Sequence, residues 1–186
     1  MRIISGKFKG KKLFHPPDEK TRPLKDLVKE SIFNLIVHSK DLNFNLTDSI
    51  VLDLFSGSGS FGIECLSRGA KFASFVENYS PVLNVLEKNL NLISGNNYEI
   101  IDRNIFKKET YNYFTKSYDI IFIDPPFLEN KVEEIILFLK KNKLLKKNGI
   151  GIIHRNNKKV DKFPTYFNII DQRKYGVSKI LFFTIN

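Results

Sequence analysis

Residues 50–77 leave few choices of fold. Ile50-Val51-Leu52-Asp53-Leu54-Phe55 is a short β-branched and apolar run that reads as a strand buried on both faces. It runs straight into Gly57-Ser58-Gly59-Ser60-Phe61-Gly62, a G-x-G-x-x-G match. A helix is predicted from Phe61 to about Arg68, closed by Gly69. A second strand, Phe72-Ala73-Ser74-Phe75-Val76, ends in Glu77. Glu77 stands about 20 residues after Gly57, the spacing at which a carboxylate ending the second strand grips a ribose. The glycines let backbone approach a ligand closely, and the helix N-terminus offers positive partial charge. Strand, glycine loop, helix and strand in this order predict an adenosine-binding α/β unit.

The glycine motif does not choose between NAD and S-adenosylmethionine. Asp53 favours the latter. A carboxylate inside the first strand suits a cationic amino-acid tail and would repel a pyrophosphate. Its other reading is a strand-end Asp that caps the loop.

A second constellation closes the run Tyr118-Asp119-Ile120-Ile121-Phe122-Ile123, which also reads as a buried strand. Asp124-Pro125-Pro126-Phe127 follows it. Pro125 cannot donate to a sheet ladder, so the strand is expected to stop at Asp124. The Asp124 carboxylate and the Pro125 carbonyl are two acceptors, and a flat exocyclic amine offers two N–H donors. Phe127 adds a face on which a base can stack. The tetrad sits at the carboxyl end of a strand, where open α/β sheets bind their ligands.

The remaining elements continue the alternation. The N-terminal stretch reads as a hairpin, with Arg2-Ile3-Ile4-Ser5 and Lys11-Lys12-Leu13-Phe14 flanking a Gly-containing loop. Such a hairpin is too small to stand alone. Arg2, Lys7, Lys9, Lys11 and Lys12 surround Phe8, a pattern suited to phosphate contact plus base stacking. Thr21-Arg22-Pro23 opens a helix with an apolar stripe of Leu24, Leu27, Val28, Ile32, Leu35 and Ile36. Residues 81–93 predict another helix, capped by Asn78 or Ser80. Strands are predicted at 98–101 and 149–153, a helix or loop near 107–115, and a helix at 132–141. Residues 166–173 and 177–184 read as a closing antiparallel hairpin. The sum is a doubly wound α/β fold, with the glycine loop and the Asp124 loop at one sheet edge.

Charge narrows the partner. Thirty basic against 20 acidic residues give a formal charge of +10, concentrated near the N-terminus and in residues 140–147. That excess points to a polyanion. The apolar runs are too short to span a bilayer, and no secretory signal follows Met1. One cysteine, Cys65, excludes an internal disulfide and is expected as a small core residue. No metal-site spacing occurs. These features predict a reduced cytoplasmic protein.

Four stretches together resemble the RsmD-like RNA guanine-N2 methyltransferases of bacteria, a family acting on small-subunit ribosomal RNA. They are residues 2–13 (RIISGKFKGKKL), 21–34 (TRPLKDLVKESIFN), 52–64 (LDLFSGSGSFGIE) and 124–127 (DPPF). The resemblance implies a Rossmann-like methyltransferase fold with a mostly parallel seven-stranded sheet whose last strand is antiparallel. It implies a basic N-terminal hairpin extension over residues 1–20 and a methyltransferase domain over 21–186. Asp53, Phe55, Gly57 and Gly59 would line the methionine end of S-adenosylmethionine, and Arg22 with Pro23 would close over it. Gly62 belongs to the same loop. Glu77, with Asn78 beside it, would take the ribose hydroxyls. Asn104 and Ile105 would flank the adenine. Asp124, Pro125, Pro126 and Phe127 would hold the target guanine. The implied partner is ribosomal RNA within the small subunit, bound by a monomer that needs no metal.

The sequence departs from that family at four places. Ser5 stands for a usual Gly, Phe8 for Trp and Leu24 for Thr, and His154-Arg155 replaces a frequent acidic residue near the end of the fifth strand, a change expected at the rim of the base pocket. Three other readings share parts of the pattern. One is an adenine-N6 or cytosine-N4 methyltransferase acting on DNA, for whose usual target-recognition region 186 residues leave no room. Another is a non-catalytic RNA-binding assembly factor, which the intact tetrad disfavours. The weakest is an NAD-dependent oxidoreductase, since no hydride-handling His, Tyr or Lys pairing stands out.

Overall fold

A computed structural model describes residues 1–16, 18, 24–42 and 44–186. The strands are β1 (Ile50–Leu54), β2 (Phe72–Glu77), β3 (Tyr98–Asp102), β4 (Tyr118–Ile123), β5 (Leu145–Asn156), β6 (Phe167–Tyr175) and β7 (Ser178–Ile185). They form one sheet in the order β3-β2-β1-β4-β5-β7-β6. The first five pair in parallel, and β7 runs antiparallel to both β5 and β6. The expected seven-stranded sheet with its antiparallel last strand is therefore what forms.

Alternation along the strands sends side chains to two cores. Val51, Ile120, Phe122, Ile152, Ile180 and Phe182 pack with helices α1 (Asp26–His38), α2 (Ser60–Ser67) and α3 (Ser80–Leu90). Leu52, Leu54, Ile121, Ile123, Ile153, Leu181 and Phe183 pack with α4 (Val132–Lys141). Because β1, β2 and β4 are covered on both faces, their apolar runs are continuous rather than alternating, which is why they were legible. No helix among the described residues is long and apolar enough to cross a membrane. Cys65 is buried, as expected.

Four expectations need correction. The N-terminal hairpin has no extended strands. It is a single antiparallel bridge, Arg2 to Lys12, closed by Ile3 N to Lys11 O at 3.0 Å and Gly10 N to Ile3 O at 2.9 Å. Ile3, Phe8 and Leu13 join the α1–α3 core, so this segment is built into the body. In α1 the stripe is rotated: Leu27 is 70% exposed, while Lys29 and Phe33 turn inward. The N-cap position of α3 is Tyr79, with no side-chain cap from Asn78 or Ser80. Glu77 instead accepts the backbone N–H groups of Asn78 and Tyr79, each at 2.8 Å. Finally, β5 extends well before Gly149. Polar Lys146-Lys147-Asn148 hid it, a shift of register intervenes between Tyr118 and Ile120, and Lys146 pairs with Asp119 at 2.8 Å.

The crossovers place the site. From β1 the chain moves toward β2, while from β4 it moves toward β5, yet β1 and β4 are neighbours. Their following loops diverge and open a crevice at the carboxyl edge of the sheet.

Candidate active site

The glycine loop begins with strain. Phe55, the residue after β1, has φ 59°, a conformation costing about 1–3 kcal/mol for a non-glycine residue and found most often at functional sites. Its ring lies 6.1 Å from that of Phe106. Gly59, at φ 78°, leads into α2, and a Cβ there would stand 2.5 Å from Leu86. A Cβ on Gly62 would stand 2.4 Å from the Phe75 ring and 3.2 Å from Asp53 Oδ2. Glycine at that position lets its N–H reach Asp53 Oδ2 at 2.9 Å.

Asp53 is only 1% exposed. Burial pushes its pKa up to about 8, against the relief of the Gly62 N–H, and the charges of Asp124 and Glu77 push the same way. Three carboxylates thus bear on one crevice. Glu77 Oε2 accepts Gly57 N at 2.9 Å, and its Oε1 holds the start of α3. Asn78 is exposed beside it. Asn104 Oδ1 closes a local turn onto Phe106 N at 2.9 Å, and Ile105 is buried on the α4 side. Arg22 and Pro23 lie outside the described residues. One group of the glycine loop went unnoticed in the sequence. Ser56 Oγ is buried and makes no hydrogen bond among the described residues.

The tetrad begins where β4 ends. Asp124 N donates to Leu54 O at 3.2 Å, which ties the tetrad to the strand bearing Asp53. Pro125 is buried, Pro126 is exposed and accepts Glu129 N at 2.8 Å, and Phe127 is half-buried. The Asp124 side chain is 18% exposed. Its Oδ1 lies 2.8 Å from His154 Nδ1, and His154 Nε2 lies 2.8 Å from Ser178 Oγ. Phe127 meets the imidazole edge-on, with ring centroids 5.7 Å apart. Burial opposes the charge of His154, but the Asp124 carboxylate outweighs it through its charge and its hydrogen bond, so the pKa of His154 rises. The sequence alone places His154-Arg155 only at the rim of the base pocket, with no role, and does not single out Ser178. Ile123 and Ile153 pair across β4 and β5, so Asp124 and His154 are each the first polar residue after paired apolar runs. That was the available signal.

Arg155 anchors the rim. It is fully buried, donates from Nη2 to Glu129 O at 2.7 Å and pairs with Asp161 at 2.8 Å. The tetrad loop is thereby tied to the loop after β5.

The basic N-terminal residues Arg2, Lys7, Lys9, Lys11 and Lys12 are exposed. Phe8 is not, and the expectation that a base stacks on it is corrected. At 8% exposure its ring belongs to the core, with the Lys7 and Lys11 ammonium groups 5.5 and 5.3 Å from its centroid. Leu24 is likewise a core residue, so an apolar side chain suits its place. A cavity of about 540 Å³ between α1 and β6, lined by Ser31, Asn34, His38 and Arg173 among others, contains none of these residues. Among the described residues no group of three or more His, Cys, Asp or Glu is placed to hold a metal ion.

The chain is similar to known proteins over nearly its whole length. The family model described as conserved hypothetical protein 95 matches residues 1–184. Ribosomal RNA small subunit methyltransferase D of Haemophilus influenzae is 34% identical over 181 residues, covering 95% of this chain and 90% of that protein. Among solved structures, yhhF of Escherichia coli superposes with a TM-score of 0.81 at 27% identity, covering 100% of this chain and 98% of that one. SMU.776, a methyltransferase fold solved with SAH, is 20% identical with a TM-score of 0.61, covers 82% of this chain and 49% of its own, and shares the fold alone.

Proposed function

The chain belongs to the conserved hypothetical protein 95 family, the RsmD-like family it resembles, and from that premise we propose that it methylates the exocyclic N2 of a guanine in small-subunit ribosomal RNA with S-adenosylmethionine. In this reading it works as a monomer in the cytoplasm. The observation that carries the proposal is the meeting of Asp53 and the glycine loop with Asp124 at adjacent strand ends.

The residues present fit the cofactor. Asp53 is buried beside two further carboxylates with no cation among its partners in the described residues, so a cationic amino-acid group bound there would replace a proton. Ser56 Oγ offers a buried, unused hydrogen-bonding group in the same loop. Asp53, Phe55, Ser56, Gly57 and Gly59 would hold the methionine end, and Glu77 with Asn78 the ribose. Glu77 Oε1 already accepts two backbone N–H groups, whereas Oε2 accepts one and keeps lone-pair capacity for a hydroxyl. Asn104 would meet the adenine through its Nδ2 amine, since its Oδ1 serves the turn. When bound, the cofactor would supply an electrophilic methyl carbon on a sulfonium whose sulfur would keep the S–C electron pair on transfer.

The chain's own part is binding and positioning. A guanine 2-amino nitrogen is a poor nucleophile because its lone pair is delocalised into the ring. Hydrogen bonds from its two N–H groups to Asp124 and the Pro125 carbonyl bend it toward tetrahedral geometry. Phe127 stacks on the base and sets the angle of approach. The Asp124 charge favours the positive charge that develops on nitrogen. The base must be unstacked or lie in a loop to reach this crevice.

The test is transfer of label from S-adenosylmethionine to small-subunit RNA or particles, followed by mass-spectrometric identification of the modified nucleoside. N2-methylguanosine is expected. Asp124→Ala should lower turnover by about 100-fold or more. A different methylated nucleoside, or near-wild-type turnover by Asp124→Ala, overturns the assignment.

A further inference from the structure

We propose that Ser178 and His154 form one unit with Asp124, in which His154 is a positioning residue that dedicates a single carboxylate oxygen to the substrate amine and takes up the proton the amine sheds. This rests on the methyltransfer reading above and adds to it a route for the proton.

The geometry is a continuous line of three side chains from three strand ends. Asp124 follows β4, His154 lies in β5 and Ser178 opens β7. The two contacts joining them are both 2.8 Å. With Oδ1 engaged by the imidazole, Oδ2 is the oxygen left to accept an amine N–H, since it accepts no hydrogen bond among the described residues. A residue serving only to stitch β5 to β7 would need the Ser178 contact alone. His154 spends its other nitrogen on the one carboxylate that ends β4.

The Ser178 hydroxyl makes proton uptake cheap in structural terms. A hydroxyl both donates and accepts. When His154 is neutral with its proton on Nδ1, that N–H donates to Asp124 and Nε2 accepts the Ser178 O–H. When the imidazole gains a proton, Nε2–H donates to Ser178 Oγ and the O–H rotates away. No heavy atom need move. The balance is one proton: the amine nitrogen forms its bond to the methyl carbon and releases a proton to Asp124 Oδ2. The Asp124–His154 pair then holds one proton more and returns it to solvent. No oxidant or reductant is involved.

The charged groups facing His154 set the sign of its pH dependence. Asp124 from the β4 end favours the imidazolium, Arg155 beside it in β5 opposes it, and Ser178 from β7 and the Phe127 ring are neutral. The net effect raises the pKa of His154 from its ordinary value of 6.5. An imidazole already protonated cannot take another proton, so turnover should rise with pH through this titration. Below it the rise should be about tenfold per pH unit.

Two measurements test this. The first needs no substrate. The chain has three histidines, so nitrogen-15 NMR can follow the titration of each. His154 should titrate above 6.5 in the wild type, and lower in Asp124→Asn, which keeps the side-chain shape and removes the charge. The second is the pH profile of kcat at saturating S-adenosylmethionine, which keeps donor binding, and with it the proton on Asp53, out of the readout. Wild type should show the rising limb. His154→Asn, which keeps a donor toward Asp124 but cannot titrate, should be slower and lack it. Ser178→Ala should move the limb, and it guards against a His154→Asn protein that does not fold. Active methylation with a flat wild-type profile, an unchanged limb in His154→Asn, or a His154 titration indifferent to Asp124→Asn overturns the proposal and leaves guanine methylation standing. Absence of methylation by the wild type defeats the reading on which both rest.

Discussion

Burial pushes Asp53 toward its protonated form, and among the described residues nothing around it offers positive charge. Its folded-state pKa of about 8 lies far above the unfolded value near 3.8. Between those two values the folded protein binds more protons than the unfolded chain, so stability falls as pH rises, by about 1.4 kcal/mol per pH unit. Asp53→Asn should therefore stabilise the apoprotein while weakening its hold on S-adenosylmethionine. The Asn carbonyl can still accept the Gly62 N–H. Scanning calorimetry at pH 7.5 should show a melting point several degrees above wild type, at about 2–4 °C per kcal/mol for a chain of this size. The gap should close toward pH 4. Equal melting points at pH 7.5 would show that the carboxylate is already compensated. Its place beside the glycine loop was legible in the sequence, because strand and loop are contiguous. Its proton was not. That depends on Phe75 and Gly62 closing over it and on Asp124 arriving from another strand, with no cation among the described residues arriving with them. His154 runs by the same sign in a higher window: its raised pKa contributes stability that is full below about 6.5 and is lost as pH rises through the folded value.

Among the elements, the N-terminal segment depends most on a single backbone fit. Buried Glu64 accepts Ile4 N at 2.7 Å and Ser5 N at 2.9 Å. Ser67 Oγ accepts Phe8 N at 3.0 Å, and Ser67 O accepts Lys7 N at 2.7 Å. From α1, Lys29 Nζ reaches Arg2 O at 2.8 Å. All of these bonds draw the segment onto α1 and α2. Gly6 sits in their midst at φ 81°, where a Cβ would stand 1.8 Å from Ser67 O. Gly6→Ala must break this seam, because neither the backbone strain nor the clash can relax without moving Ser67. Ile3, Phe8 and Leu13 would then lose their burial, each worth about 1.5–3 kcal/mol. Limited proteolysis should cut within residues 1–16 faster than in wild type, and the melting point should drop by several degrees. Unchanged proteolysis would mean the segment docks by its side chains alone. The sequence placed the turn correctly through Gly6 and Gly10 but read two strands, because alternation counts residues and cannot see that Glu64 and Ser67 take the backbone bonds a partner strand would otherwise take. The same limit explains α1. Lys29 turns inward only because Glu64, Ser60 and the Arg2 carbonyl are there to receive it. By contrast β1, β2, β4 and α4 were legible because burial on both faces, or an apolar stripe alone, determines them.

Across the whole molecule, two facts of different kind meet. One is topology: β1 and β4 are neighbours whose connections diverge, so the glycine loop and the tetrad had to share an edge once the strand order followed the usual right-handed crossovers. The other is charge, +10 overall with Arg2, Lys7, Lys9, Lys11 and Lys12 exposed on the docked N-terminal segment. With Phe8 withdrawn into the core, that segment presents ammonium and guanidinium groups, and its exposed ring is Phe14. Its lysines carry charge and long flexible stems rather than a fixed base-reading fork, so they should add affinity for a phosphate backbone without choosing the target. Lys9 and Lys12 suit a test, since neither is placed in the core or in the crevice. Lys9→Ala with Lys12→Ala should weaken RNA binding almost equally across unrelated RNA sequences. The slope of log affinity against log salt should flatten by roughly 1 for each phosphate the protein no longer neutralises, about 2 in all. At saturating RNA, kcat should stay near wild type, because the crevice is untouched. Fluorescence anisotropy across a salt series measures the first effect and label transfer the second. An unchanged salt slope would assign the polyanion grip to another basic stretch, of which residues 140–147 are the other concentration in the chain.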